Sequence, residues 1–305
     1  MRRAASRLAA GMAALAVLAC ASTPAAGPAS PAQAVEELLA ADRAFGAAAR
    51  AMNGVEALAA TFDDDVILPA RTSFANGKAA AVAVLRENPE NAQSRLEWSP
   101  IRGGISADGQ HGFTFGFMTQ LVGDSTHTLK YLAYWVRRPQ GWRVLTLRRR
   151  RAAPGPRDPA VRAPSLPARL VAPQHDAAKD AGLRASLAAA EQAFSDTAQV
   201  VGLQVAFERF GRADAVNLGG AGASDFVYGS PAIGRSVGTA TAGQPSPVSW
   251  SADHAVVVAS SGDLGVTFGY IRPNAPDARR PAGGAPFFTI WRRDSPASPW
   301  RYIAE

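Results

Sequence analysis

Two stretches constrain this chain more than any other feature: Gly109–Phe117 reads GQHGFTFGF and Gly262–Tyr270 reads GDLGVTFGY. Both run Gly-x-x-Gly, a bulky apolar residue, then Thr-Phe-Gly-aromatic. Successive side chains of a strand point to opposite faces. Phe113, Phe115 and Phe117 therefore share one face, against Gly112, Thr114 and Gly116. Leu264, Val266, Phe268 and Tyr270 share the corresponding face, against Gly265, Thr267 and Gly269. Each stretch is a strand with one bulky face and one Gly/Thr face. We expect the bulky face to pack on a helix. A chain of 305 residues has room for about two domains of ordinary size, and the echo says that they are built alike.

The first residues read as an export signal. Arg2, Arg3 and Arg7 precede an apolar run, Leu8–Ala19, too short to span a bilayer as a helix. The run ends Val17-Leu18-Ala19-Cys20, and Cys20 is the only cysteine. This resembles a bacterial lipobox, which implies lipidation at Cys20, a membrane partner through that anchor, and a place in the cell envelope, periplasmic side. Ordinary cleavage after Ala19-Cys20-Ala21 is the alternative. Residues 21–31, rich in Pro, Ala and Ser, read as a disordered tether. The net charge is +7, and all but Lys78, Lys130 and Lys179 of the 32 basic residues are arginine. With the Ala, Gly and Pro excess, that reads as compositional bias, and we expect no nucleic-acid partner.

In order, residues 32–51 and 55–62 carry helical periodicity, with Val35, Leu38, Asp42 and Phe45 on the first stripe. Asp63-Asp64-Asp65 and the strand Val66–Leu68 follow, then a helix from Gly77 to Arg86. Alternation takes over at 95–105, 112–122, 128–138 and 142–149. Arg148–Arg151 reads as a solvated strand end. It opens a linker, 151–177, whose six prolines between Pro154 and Pro173 preclude regular structure. The second half repeats the order: helices at 180–200 and 202–210, short strands at 215–218 and 225–228, a weak helix at Pro231, then strands at 248–260, 264–271, 286–293 and 300–303. Glu191-Gln192-Ala193-Phe194 answers Asp42-Arg43-Ala44-Phe45, and Trp250-Ser251 answers Trp98-Ser99.

Helix, helix, short strand, helix, then long strands ending in aromatic-Arg-Arg, a turn and Gly/Pro-Trp-Arg resembles the nuclear transport factor 2-like superfamily, in its SnoaL-like and ketosteroid-isomerase-like branches. The resemblance covers residues 32–150 and 178–305. It implies an α+β fold of two tandem cone-shaped domains, each a strongly bent, mainly antiparallel sheet wrapped around a long N-terminal helix. It also implies pairing through open sheet faces, as an intramolecular pseudo-dimer or a homodimer.

Chemistry is less legible. Val248, Trp250, Ala252, His254 and Val256 share one nominal face, so His254 is a candidate pocket group, as a base or as a satisfied rim histidine. Tyr228 and Asp225 precede the weak helix, where such pockets draw residues. Tyr270 adds a hydroxyl to an apolar face beside Phe268. These six, His254, Tyr270, Phe268, Trp250, Tyr228 and Asp225, are the ligand-pocket candidates. The Asp63–Asp65 run reads as solvated turn acids. Arg71, Arg95 and Arg102 read as strand charges. No Ser-His-Asp order, zinc-type cluster or phosphate loop occurs, and we expect no metal and no cofactor. The readings in play are a binder of a small apolar or amphipathic molecule, a non-catalytic interaction module, and a cone enzyme of isomerase or hydrolase type using the second domain.

Overall fold

The structure, a computed structural model, describes residues 30–276 and 283–305. The residues read as an export signal, Cys20 and nearly all of those read as a tether lie outside the described residues. The fold is α+β. Among the described residues no helix is long and apolar enough to cross a membrane.

The first half opens with helix α1 (Pro31–Ala48), which buries Val35, Leu38, Asp42 and Gly46 on one stripe. Helix α2 (Gly54–Thr61) follows, held by a capping box between Asn53 and Glu56. A hairpin of β1 (Ile67–Pro69) and β2 (Phe74–Asn76) leads to α3 (Lys78–Glu87) and α4 (Pro89–Gln93). Strands β3 (Ser94–Ile105), β4 (His111–Val122), β5 (Ser125–Arg138) and β6 (Gly141–Arg151) form an antiparallel sheet in chain order.

The second half opens with α5 (Ala177–Phe210), broken at Gly202, where φ is 82°. The sequence reading of two helices there corresponds to this break. Strands β7 (Gly211–Asn217) and β8 (Val227–Tyr228) and helix α6 (Ser230–Gly238) follow. Strands β9 (Val248–Val258), β10 (Leu264–Pro273), β11 (Ala285–Arg292) and β12 (Arg301–Ala304) complete a sheet of order β8-β7-β12-β11-β10-β9.

The molecule is layered helix, sheet, sheet, helix. One apolar cluster lies between α1–α3 and the first sheet. Another lies between α5, α6 and the second sheet. A third joins the sheets to each other: Phe113, Phe115, Leu132 and Tyr134 pack with Leu264, Val266, Phe268, Phe288 and Ile290. The strand faces are thus the reverse of the sequence expectation. The bulky face lies against the other sheet, and the Gly/Thr face lies against the helix. The cause is clearance. A Cβ on Gly112 would sit 2.4 Å from Leu38, and one on Gly265 would sit 2.6 Å from Leu187, so the helices approach as closely as glycine allows. Bulky residues fill the gap between sheets instead, each contributing about 1.5–3 kcal/mol by burial.

Polar contacts edge this junction. The turn after β3 meets the turn after β9: Ala107 N donates to Asp263, while Ser260 Oγ and Ser261 N donate to Asp108. The linker has no regular element, as its prolines imply, but it is not loose. Arg162 N donates to Ile101 O and Ser165 N to Gly103 O, so residues 162–165 run along the free edge of β3. That protects a strand edge that would otherwise present unpaired backbone groups.

Candidate functional site

Each half carries an acid on the buried stripe of its long helix. Asp42 sits four residues beyond Leu38, and Glu191 four beyond Leu187, so both point into the core with those leucines. Asp42 accepts from Trp98 Nε1 at 2.7 Å and from Tyr131 OH at 2.8 Å. Glu191 accepts from Trp250 Nε1 at 2.8 Å, from Trp291 Nε1 at 2.9 Å and from Thr267 Oγ1. Burial raises the pKa of Asp42, opposed by hydrogen bonds from Thr114, Tyr131 and Trp98. Burial likewise pushes Glu191 up to about 7. Each acid orients the indole of the strand that crosses its helix, Trp98 or Trp250.

Beyond these acids the halves differ. In the first, the space framed by Asp42, Trp98, Met118, Tyr131 and Trp135 amounts to about 10 Å³, less than one water. In the second, a cavity of about 330 Å³ remains. Its apolar walls come from α5 (Phe194, Leu203, Phe207), α6 (Val237) and the sheet (Trp250, Ile271, Phe287). Its polar end holds Asn217, Glu305 and, from the first half, Arg148 and Arg150. Asn217 Nδ2 donates to Glu305 Oε2 at 3.1 Å. Burial, reinforced by the charge of Glu191, pushes Glu305 up to about 8, so its carboxyl holds a proton at neutral pH. Arg148 Nη2 donates to Pro286 O at 2.7 Å, and its guanidinium lies over Phe288. Such a cavity can seat an apolar body and offer its polar end both a guanidinium and a carboxylic acid.

Of the six candidates from the sequence, the structure places Trp250 on this wall and the other five outside the cavity lining. Phe268 and Tyr270 face the first half, where Phe74 meets both rings edge-on. His254 stacks on Phe74 at 4.2 Å, and its Nε2 lies 2.9 Å from Asn76 Oδ1. The pairing of β9 with β10 slips by two residues between Ser251 and Ala255, so face alternation does not govern His254. Tyr228 lies beneath Arg162 of the linker, 3.7 Å from ring to guanidinium. Asp225 accepts from Asp158 N and offers its carbonyl to Lys130. Tyr228 also meets Phe115 of β4 at 6.4 Å between rings, so all five join the halves, and Tyr228 and Asp225 hold the linker as well. Arg102, which alignment of the halves sets beside His254, likewise crosses over and pairs with Asp214. The acid run is a turn, but Asp63 is not the solvated acid read from sequence: it is buried and held by Arg138, Nε to Oδ2 at 2.7 Å.

Asn217, Glu305, Arg148 and Arg150 carry the cavity's polarity, and Glu191 orients its Trp250; none of these five was among the candidates. A signal existed for Glu191, an acid on an otherwise apolar helical stripe, matched by Asp42 at the same place in the first half. None existed for Glu305 or Arg148, whose surroundings are assembled from distant strands. Arg148 and Arg149 also depart from the solvated strand end read from sequence: burial pushes both down to about 10.

No family model matches the chain, and no curated protein matches it. Among solved structures it is similar to a nuclear transport factor 2-like protein with a cystatin-like fold from Novosphingobium aromaticivorans, 18% identical, covering 37% of this chain and 79% of that one at a TM-score of 0.29. A nuclear transport factor 2-like protein of unknown function from Shewanella oneidensis is 12% identical, covering 37% and 96% at 0.31. A ketosteroid isomerase-like protein from Erwinia carotovora is 18% identical, covering 38% and 92% at 0.29.

Proposed function

We propose that this chain is an exported, lipid-anchored protein of two nuclear transport factor 2-like copies paired within one chain, and that its second copy binds a small amphipathic molecule. The observation that carries the binding reading is the second copy's cavity of about 330 Å³, mostly apolar in its walls and within the range of small-molecule pockets. In the first copy the space around Asp42 amounts to about 10 Å³, and the larger cavity beside β6 is lined by arginines. The apolar and aromatic side chains of that cavity suit an apolar body. Arg148, Arg150 and the protonated Glu305 suit an oxygen-bearing end. The pairing reading rests on equivalent parts meeting across the junction: β4 packs by Phe113 and Phe115, β10 by Val266 and Phe268. Because each sheet covers the other, the interaction-module reading has less exposed sheet to work with.

The test is native mass spectrometry of the chain purified from its own envelope. The expected spectrum has a lipid-bearing N-terminus at Cys20 and a stoichiometric small molecule that is released on unfolding. Val237→Trp, which fills the cavity from a half-buried position on α6, should abolish the small-molecule adduct and leave the fold intact by circular dichroism. An adduct retained in Val237→Trp would refute binding in this cavity.

A second reading, an isomerase-type enzyme, is favoured by Glu305, a carboxyl of raised pKa at the polar end of an otherwise apolar cavity, which suits general acid–base chemistry. Holding the released molecule with the protein in deuterated buffer checks it. Exchange at carbon that Glu305→Gln abolishes supports catalysis, and no exchange leaves the protein a binder.

A further inference from the structure

The second copy's cavity takes its cations from the first copy. Arg148 and Arg150 stand two residues apart on β6, so their side chains leave the same face of that strand, the face opposite Arg149. Strand β12 ends at Ala304 and pairs with β11 only from Ile290 onward. Beyond its end the second sheet opens between Gly219, which follows β7, and Pro286, near the start of β11. The two arginines reach into that opening. Arg148 Nη2 donates to Pro286 O at 2.7 Å with its guanidinium over Phe288, and Arg150 Nη1 donates to Gly219 O at 2.6 Å.

No ionised carboxylate answers them. Among the described residues neither Arg148 nor Arg150 makes an ion pair, and each spends one of a guanidinium's five donors on a backbone carbonyl. Lys130, opposite Arg150 in the pairing of β5 with β6, adds a third cation, and its donors also go to carbonyls, those of Ala223 and Asp225. Glu305 is the one carboxyl in the cavity lining. Burial and the charge of Glu191 raise it to about 8, against the hydrogen bond from Asn217 and the charge of Arg148, so at neutral pH it is uncharged. Half-buried cations with no counter-charge are costly to hold together. An anion whose oxygens meet the guanidinium forks removes that cost.

Resting on the reading of this cavity as a binding site, we propose that its ligand is an ionised carboxylic acid, with an apolar body against Phe194, Phe207 and Trp250 and its carboxylate held by Arg148 and Arg150. The arginines belong to the first copy, so the site is complete only when both copies are packed together. A carboxylate suits this seat better than a phosphate. It is planar, like the Arg148 guanidinium that lies over Phe288, and Pro286 O and Gly219 O crowd a third anionic oxygen. An amine head meets only like charge there.

Titration calorimetry of the full chain with octanoate, octanol and octyl phosphate, at neutral pH and physiological salt, reads the head-group preference on one body. Octanoate should bind one to one, roughly tenfold or more tighter than octanol, and octyl phosphate no tighter than octanoate. Arg150→Gln, at a half-buried position, should bring octanoate down towards octanol, as should Arg148→Gln. Val237→Trp should abolish binding of both. Octanol binding as tightly as octanoate, with both lost in Val237→Trp, overturns the carboxylate assignment and leaves the amphipathic-ligand reading standing. An octanoate preference that survives both arginine variants, or tighter binding of octyl phosphate, overturns it as well. Binding of neither octanoate nor octanol, or binding that Val237→Trp leaves intact, removes the cavity reading and the carboxylate assignment with it.

Discussion

Glu191 is fully buried and surrounded by three donors, yet its pKa rises to about 7, because burial outweighs the hydrogen bonds from Thr267, Trp291 and Trp250. A carboxyl raised on folding keeps its proton where the unfolded chain has released it. Its contribution to stability is therefore complete below the unfolded value of 4.5 and is lost as pH rises through about 7. The size of that loss is on the order of 3 kcal/mol. Glu191→Gln does not titrate, and its amide sets a donor against an indole N–H, a penalty of about 1–3 kcal/mol that does not vary with pH. Urea midpoints measured from pH 4.5 to 8 should fall in the parent and fall less steeply in Glu191→Gln. Parallel slopes would show that Glu191 does not titrate in this window.

At the scale of elements, the echoed strands can be explained position by position. Gly109 and Gly262 take positive φ, 65° and 71°, in equivalent turns. Gly112 and Gly265 let the helix leucines approach. Thr114 and Thr267 each accept from an indole, that of Trp135 or Trp291. Gly116 and Gly269 lie opposite irregularities in β3 and β9, where a Cβ would sit 2.2 Å from Ser99 O and 1.7 Å from Ser251 O. Those contacts are with backbone, so relief requires the neighbouring strand to move. Gly116→Ala and Gly269→Ala should each cost about 3 kcal/mol or more. Gly220→Ala, with open space around its Cβ, should stay within about 0.5 kcal/mol. Thermal midpoints of the three variants check this, and a Gly269→Ala protein as stable as Gly220→Ala contradicts the close approach. The elements were legible in the sequence because period and turn chemistry are local. Alternation defines two faces of a strand but does not say which one meets the helix, so Phe268 and Tyr270 were given to the wrong layer. His254 was misplaced for a related reason, since two extra residues in β9 suspend alternation where it sits. A run of arginines reads as solvated until the strands that desolvate Arg148 and Arg149 are known.

Taken whole, the molecule has a third core shared between its sheets besides the core of each half. The inter-sheet cluster draws Phe113, Phe115 and Tyr134 from one half and Val266, Phe268 and Ile290 from the other, all fully buried. Lys130 reinforces it: with no exposed surface, it donates to Ala223 O and Asp225 O, each at 2.8 Å, across the junction. Burial pushes its pKa down to about 8. A half unfolding alone would expose this face of its partner and strand that lysine. Opening of either half should therefore require opening of both. Phe268→Ala tests the coupling, because Phe268 belongs to the second half and touches Phe74 of the first. Removing a fully buried phenyl costs about 3–5 kcal/mol. Native-state hydrogen exchange should find the slowest amides of β4 and β5 and those of β10 and β11 governed by one opening free energy. Phe268→Ala should lower both sets equally. If the halves were independent, the loss would be confined to β9–β11, and the amides of β4 and β5 would keep their protection.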